Sequence, residues 1–251
     1  ACFENKDISL SDAQEAKYQR IIQSISARPG QNILEVGCGW GGLMEVASKQ
    51  GINIDCLTIS QEQANYAQHR FTQIQSEVTG QANILIQDYR DHQEQYDGIA
   101  SIEMFEAVGE KYWPTYFQMI QRCLKPGKKA CIQTIVIADD LFDKYRRSSD
   151  FIQQYVFPGG MLPSIEKFKQ AAQRQGLIIK EVYSFGQDYQ KTLCLWNQKF
   201  NQHLQEIRLQ GFDEKFIRLW NLYLMYCAAG FAEKSIDVVQ FTLQKPAQQC
   251  H

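Results

Sequence analysis

Four glycines within six positions constrain the fold of this chain more than any other feature. They follow a short apolar run that contains one acid, in the stretch Ile33-Leu34-Glu35-Val36-Gly37-Cys38-Gly39-Trp40-Gly41-Gly42. The next residues, 43–50, have the pattern of a helix. A strand, a tight turn and a helix N-terminus form a cradle for a nucleotide, because glycine lets the backbone turn sharply and approach a ligand closely.

The glycine loop alone is compatible with two ligands. Its first, third and sixth residues, Gly37, Gly39 and Gly42, fit the dinucleotide pattern G-x-G-x-x-G. Gly37, Gly39 and Gly41, with Glu35 just before them, also fit the E/D-x-G-x-G-x-G loop of methyltransferases that use S-adenosylmethionine (SAM). An acid at this position favours SAM, since it neutralises the cationic amino end of SAM and would repel a pyrophosphate.

Short apolar runs alternate with helical patterns through most of the chain. This alternation predicts an α/β fold with a doubly wound, mostly parallel sheet that is covered by helices on both faces. Helices are predicted at 9–28, 60–75, 112–123 and 165–175, and Lys125-Pro126-Gly127 is expected to close the third. Seven strands are predicted, at 33–36, 52–57, 84–86, 98–102, 130–136, 178–183 and 236–243.

The second half of the chain departs from this simple pattern. Residues 139–163 are charged, aromatic and punctuated by Gly and Pro, and two long helices with aromatic stripes are predicted between 193 and 231. Such a stripe is typical of core packing, and the alternative is that part of it lines an apolar substrate channel. We expect one domain over 1–251, with a SAM-binding core at 1–136 and substrate-binding insertions and C-terminal helices at 137–251.

Composition and charge exclude several classes of protein. A net charge of −2 and a pI of about 6.1 give no support to a nucleic-acid partner. The longest apolar run near the C-terminus, 222–231, is too short to span a bilayer, and the start shows no signal-peptide pattern. None of the eight cysteines forms a CxxC pair, so we expect reduced core residues, Cys250 included, of a cytoplasmic protein. The four histidines, of which His251 is the last, do not cluster with acids, which predicts no metal site.

Six motifs resemble one family in order along essentially the whole chain. They lie at 37–42, 57–60, 87–91, 104–109, 157–163 and 188–193. Together they are similar to the cyclopropane-fatty-acid synthase family of SAM-dependent methyltransferases. The resemblance implies a Rossmann-like methyltransferase sheet with an inserted helical region that binds an acyl chain. It also implies transfer of a one-carbon unit to the double bond of an unsaturated phospholipid acyl chain, giving a cyclopropane or a methyl- or methylene-branched acid.

The resemblance assigns the cofactor site residue by residue. Gly37, Gly39 and Gly41 would form the turn beneath the methionine part of SAM, with Glu35 before them. Thr58 and Gln63 would bind the ribose hydroxyls, in preference to Asp55, which is read as an ordinary strand residue.

The loop after the third strand is expected to hold adenine. Asp88 would accept a hydrogen bond from the adenine amino group, and Tyr89 would stack on the ring. A solvated turn is the other interpretation of this loop, but ligands bind at the carboxyl ends of parallel strands.

The same resemblance places the reaction at Glu106 and Tyr189. In the family, the base is thought to be a bound bicarbonate, and these two residues map to its holders. Gln133 stands where cyclopropane synthases carry His, which indicates a separate subgroup; its amide still donates hydrogen bonds to an anion.

The start of the chain and its partners complete the expectations. The family's Ser-Cys pair aligns just before Ala1, so the chain looks cut inside a functional motif. Either that Cys is missing, which we favour and which predicts weak SAM affinity, or Cys2 replaces it. A basic and aromatic cluster around Lys144, Arg146 and Arg147 predicts peripheral contact with the inner face of a membrane, although a solvated face is the plainer reading.

Alternatives to the leading function stay open at this point. One is an N- or O-methyltransferase of a small molecule, and another is a catalytically impaired relative that binds SAM or lipid. A homodimer is compatible with the sequence.

Overall fold

A computed structural model of the protein describes residues 1–5 and 7–247. Lys6 and residues 248–251 lie outside this description, so the expectations for Cys250 and His251 do too. Within the described ranges the seven cysteines are free, and no group of three or more His, Cys, Asp or Glu side chains is placed to hold a metal ion. None of the helices in these ranges has the length and apolar character that crossing a membrane requires.

Seven strands form one sheet. They are β1 (Asn32–Val36), β2 (Asn53–Thr58), β3 (Ala82–Ile86), β4 (Tyr96–Ile102), β5 (Leu124–Ile137), β6 (Ile178–Ser184) and β7 (Ile236–Gln244). Their order is β3-β2-β1-β4-β5-β7-β6. The first five pair in parallel, and β7 runs antiparallel between β5 and β6. The predicted doubly wound, mostly parallel seven-stranded sheet is confirmed.

Ten α-helices cover the sheet within the described residues. They are α1 (Leu10–Ile25), α2 (Gly42–Lys49), α3 (Gln61–Ile74), α4 (Trp113–Cys123), α5 (Phe142–Arg146), α6 (Phe151–Tyr155), α7 (Ile165–Arg174), α8 (Gly186–Gln202), α9 (Leu204–Leu209) and α10 (Glu214–Ala232). Side chains cap several N-termini: Ser60 accepts a hydrogen bond from the Gln63 N–H, and Asp150 and Gln153 form a capping box on α6.

Three boundaries differ from the predictions made from the sequence. The helix predicted over 9–28 stops early because Ser26 takes the left-handed conformation, with φ 57°. Strand β5 begins at Leu124, which pairs with Tyr96 of β4, and so includes residues 125–127, which were expected to close a helix. The ladder to β4 is irregular there and resumes at Lys129, while the Gly127 N–H donates to the Lys245 carbonyl at 3.0 Å. The first long C-terminal helix breaks at His203 into α8 and α9.

The two long C-terminal helices pack against each other and against β7. Their inner faces form a buried cluster with Tyr189, Leu193 and Phe231 at its centre, and Cys2 joins it. Other members of the stripe are exposed, such as Trp196 at 39%. The aromatic stripe is therefore core on one face only.

Candidate active site

A cavity of about 530 Å³ opens at the carboxyl ends of β1, β2 and β4. Val36, Thr58 and Ile102, at or near the ends of these strands, line it. The strand order reverses between β1 and β4, and ligands of open α/β sheets bind in the crevice at such a point. The volume is in the range of small-molecule sites.

Gly37 and Gly39 form one wall of this cavity with φ values of 80° and 51°. The backbone N–H groups of Gly37 and Cys38 donate to the Leu57 carbonyl at 3.0 and 2.9 Å, which ties the loop to β2. A Cβ on Gly37 would lie 2.8 Å from Met104 Cγ, whereas one on Gly39 would enter open space. Gly39 thus leaves its backbone bare on the cavity side, as close approach of a SAM-sized ligand requires.

Gly41 has a packing role at the start of α2. Its φ is 77°, and a Cβ there would lie 2.9 Å from Met44 Cε and 3.2 Å from Ala67 Cβ. It therefore allows α2 and α3 to approach each other behind the loop.

Thr58 and Gln63 meet at the cavity wall, as the ribose assignment requires. The Thr58 hydroxyl donates to Gln63 Oε1 at 2.8 Å, and both residues line the cavity. Asp55 is instead held within the sheet, where it accepts hydrogen bonds from the Tyr96 hydroxyl at 2.6 Å and from Asn83 Nδ2 at 2.8 Å.

Asp88 and Tyr89 line the opposite wall, in the loop after β3. The Arg90 guanidinium lies 2.6 Å from Asp88 and holds the pKa of that carboxyl below its usual range. The Tyr89 ring is supported edge-on by Tyr116, with centroids 5.7 Å apart. The loop thus presents an anion and a braced aromatic ring to the cavity.

Glu35 lies beneath the glycine loop and is 2% exposed. Its Oε2 accepts a long hydrogen bond from Cys56 Sγ at 3.9 Å. Burial, with a smaller effect of Cys38, raises the pKa of Glu35 well above its usual range and favours the neutral acid. Its expected role toward the amino end of SAM stays a prediction.

Glu106 turns its carboxyl inward from a short 3₁₀ turn, Phe105–Ala107, after β4. Its Oε1 accepts the Ile135 N–H at 2.5 Å. Its Oε2 is buried and has no hydrogen-bond partner in the described part of the chain. Burial, and secondarily the charge of Glu103, raise the pKa of Glu106 to about 8.

Gln133 and Tyr189 meet on a third residue, Glu103. Gln133 Nε2 donates to Glu103 Oε1 at 2.7 Å and to the Tyr189 hydroxyl at 2.8 Å. The Tyr189 hydroxyl also donates to Glu103 Oε1. Gln240 donates to Gln133 Oε1 at 3.0 Å and orients the amide from behind. The structure thus brings two predicted site residues, which are 56 positions apart, into one network.

Glu103 is the residue that reasoning from the sequence missed. It lines the cavity and follows β4 directly, with φ 52°, a value that non-glycine residues rarely adopt. Its place at the end of a central parallel strand was the available signal.

Two further groups border this network from the N-terminal side. Lys17 on α1 is 5% exposed, and burial lowers its pKa while the charges of Glu103 and Glu35 act in the opposite direction. Cys2 packs in the cluster that contains Tyr189. Burial raises the pKa of the Cys2 thiol to about 11, so at neutral pH it is a protonated neighbour of the site.

The segment 157–163 also reaches the site. The Met161 N–H donates to the Glu106 carbonyl at 2.8 Å. The Phe157 ring lies 5.8 Å from Tyr223 of α10. The inserted segment therefore links the Glu106 turn to the C-terminal helices.

Comparison with known proteins gives the family. The family model described as "Mycolic acid cyclopropane synthetase" matches residues 1–241. Tuberculostearic acid methyltransferase UfaA1 of Mycobacterium tuberculosis is 37% identical over 93% of this chain. Cyclopropane-fatty-acyl-phospholipid synthase of Escherichia coli K12 is 36% identical over 94% of it. The chain spans 55% and 59% of the length of these two relatives.

Solved structures agree with the sequence comparison. Mycolic acid cyclopropane synthase CmaA1, complexed with SAH and CTAB, has a TM-score of 0.89 at 32% identity, covering 98% of this chain and 88% of that one. Cyclopropane synthase MmaA2 from M. tuberculosis has the same TM-score at 29% identity and the same coverage. Since the family model spans nearly the whole chain and the relatives exceed 30% identity, this protein belongs to the cyclopropane fatty acid synthase family.

Proposed function

We propose that this protein transfers a one-carbon unit from SAM to the double bond of an unsaturated fatty acyl chain, giving a cyclopropane or a methylene-branched acid; a methyl-branched acid would require a subsequent reduction of the methylene group by a separate hydride donor. The observation that carries the proposal is the cavity itself, which joins a glycine-loop ligand cradle to a carboxylate network at the end of β4. Family membership supports the same reaction class, and the names of the relatives indicate acyl lipids as substrates.

Some cavity residues would hold SAM, and others would surround the reacting groups. SAM, when bound, would supply an electrophilic methyl group. Gly37 and Gly39 would hold its methionine part, Thr58 with Gln63 its ribose, and Tyr89 its adenine ring. The alkene is a weak nucleophile. The part of the cavity where it reacts must therefore exclude water and provide a base. Met104 and Val108 supply apolar wall next to Glu103.

Bicarbonate, the expected anion, finds no unused hydrogen-bond donor on Gln133 or Tyr189. Both hydrogens of the Gln133 amide are engaged, one by Glu103 and one by the Tyr189 hydroxyl, and that hydroxyl donates to Glu103 as well. Bound bicarbonate therefore has no part in the reaction that we propose.

Peripheral contact with lipid is proposed for the surface of α6 and α10. Tyr155, Phe157 and Tyr226 are exposed by 65%, 52% and 47%. Lys144 and Arg147 lie on the neighbouring α5 turn, while Arg146 is already paired with Glu110 at 2.7 Å. Vesicles containing anionic lipid test this: a Lys144→Glu, Arg147→Glu variant should bind them more weakly than the native protein. Equal binding would remove the membrane proposal.

The function is tested in an E. coli strain that lacks its own cyclopropane synthase. Expression of the protein should convert monounsaturated acyl chains to acids heavier by one CH2 group, measured by mass spectrometry. Chromatography then separates a ring from a methylene branch, because the two have equal mass. A Gly39→Val variant is the matched negative control, since its side chain enters the cavity. Unmodified acids, with methylation of an added amine instead, would favour a small-molecule N-methyltransferase.

A further inference from the structure

Glu103 occupies the point where the cavity meets the buried polar network. Its side chain lines the cavity, and its Oε1 accepts both hydrogen bonds that reach it from the network, from Gln133 and Tyr189. Because both fall on Oε1, the second oxygen, Oε2, is the one left to act toward the cavity.

The donors around Glu103 are matched to one carboxylate. A primary amide has two N–H hydrogens and a phenol has one O–H. Gln133 donates one N–H to Glu103 and the other to the Tyr189 oxygen, and Tyr189 donates its O–H to Glu103. Gln133 and Tyr189 do not titrate near neutral pH in this setting, since burial and Glu103 raise the pKa of Tyr189 well above its usual range. The network therefore holds Glu103 in place, and neither Gln133 nor Tyr189 competes with Glu103 for the proton that this carboxylate would accept.

Charge also disfavours a separate anion at this point. Glu106 is close enough to Glu103 for that charge to raise the Glu106 pKa. Lys17 is buried on this side, and the charges of Glu103 and Glu35 act against the larger effect of burial, which lowers its pKa. A further anion would face Glu103 directly and gain no unused donor from Gln133 or Tyr189.

The backbone at Glu103 points to a required side chain. A φ of 52° lies in the left-handed region, which a non-glycine residue rarely adopts and glycine adopts freely. Side chains held in such conformations gather at functional sites.

We propose that Glu103 is the catalytic base of this protein, a carboxylate built into the chain that makes an external anion unnecessary. This rests on the proposed function. Gln133 and Tyr189 are its positioning residues.

The proton balance of the step follows from the chemistry. The π pair of the alkene forms the bond to the methyl carbon, the carbon–sulfur bond breaks with its pair staying on sulfur, and the other alkene carbon becomes cationic. Glu103 Oε2 then takes a proton from the transferred methyl group. The released C–H pair closes a ring on the cation, or forms a methylene double bond after a hydride shift. The proton leaves Glu103 through the open cavity.

Two variants of Glu103 and one remote control test the proposal in the full protein, with acyl-lipid product measured by mass spectrometry. Glu103→Gln keeps the shape and removes the base, so product formation should fall about 10²- to 10⁴-fold while SAM binding by calorimetry is retained. Glu103→Gly suits the backbone and opens the space, so added bicarbonate or formate should restore part of its activity. Glu166→Gln, on exposed α7 and paired with Lys169, should match the native protein.

The native protein gives the decisive measurement. Its rate should be the same in bicarbonate-depleted buffer and with bicarbonate restored, and this comparison holds even if a Glu103 variant does not fold. A native rate that collapses without bicarbonate, or a Glu103→Gln variant with native rate, would overturn the assignment of the base. Both outcomes leave acyl methylation itself intact, whereas a native protein that forms no acyl product refutes the proposed function instead.

Discussion

Replacing Glu106 by Gln should make the protein's stability less sensitive to pH. In the folded chain the Glu106 carboxyl accepts the Ile135 N–H and lies near the charge of Glu103, and its buried Oε2 has no hydrogen-bond partner among residues 1–5 and 7–247. These surroundings raise its pKa from 4.5 to about 8, chiefly through burial. The folded state therefore binds the proton more tightly than the unfolded state. Its stabilising effect is complete below about pH 4.5 and is lost as the pH rises toward about 8.

The size of the effect follows from proton linkage. Between pH 5.5 and 7.5 the unfolded carboxyl is ionised and the folded one is largely protonated, so the free energy of unfolding should fall by roughly 2.5 kcal/mol on account of Glu106. Glu106→Gln keeps an acceptor for the Ile135 N–H and has no proton to lose. The free energy of unfolding of this variant, plotted against pH, should therefore lack this fall.

Urea unfolding followed by tryptophan fluorescence at several pH values measures the difference between the two curves. Glu110→Gln is the matched control, because Glu110 is four residues away and pairs with Arg146 on the surface. Its curve should run parallel to that of the native protein. If the native and Glu106→Gln curves also run parallel from pH 5.5 to 7.5, the carboxyl is not held as a neutral buried acid and the reasoning fails.

Three other substitutions test separate parts of the site. Tyr89→Ala should weaken SAM binding by roughly tenfold in calorimetry, because it removes the aromatic face at the adenine wall, a loss of about 1–2 kcal/mol; an unchanged Kd would place adenine elsewhere. Tyr189→Phe removes a donor to Glu103, so kcat should fall with little change in the Kd for SAM, and equal losses in both would indicate a general packing defect. Gln133→Leu should lower the free energy of unfolding by about 1–3 kcal/mol in urea, because Gln240 and Glu103 lose a partner, and a neutral result would contradict the network.

The cofactor half of the site was accessible from the glycine loop, whose signal is local, and from the resemblance to a family, which supplied Thr58 and Gln63. The glycine loop, Thr58 with Gln63, and Asp88 with Tyr89 each follow a strand within a few residues, and parallel strands bring their carboxyl ends to one edge. A strand followed by glycines and a helix thus specifies a ligand wall without knowledge of distant contacts. Which loop residues face the ligand depends on how α2 and β2 pack behind the loop, as Gly41 and Glu35 illustrate. The sequence alone does not show this packing.

The reacting half was only partly accessible, since it is assembled from distant segments. Glu106, Gln133 and Tyr189 were identified through resemblance to a family, but nothing local indicates that the last two converge on Glu103. That residue carries no motif beyond its place at the end of β4, and its contacts with Gln133 and Tyr189 appear only when β4, β5 and α8 are packed together.

The sequence by itself therefore determined the class of fold and the order of its strands and helices to within a few residues, because these depend on periodicity and on short-range turn chemistry. The kind of cofactor followed from the glycine loop with Glu35 and from the resemblance to a family. Tertiary structure alone decided how protons and charges are arranged. A carboxyl's protonation depends on burial and on neighbours from other segments, and only the packed chain shows that Glu106 Oε2 is buried while Glu103 lines the cavity.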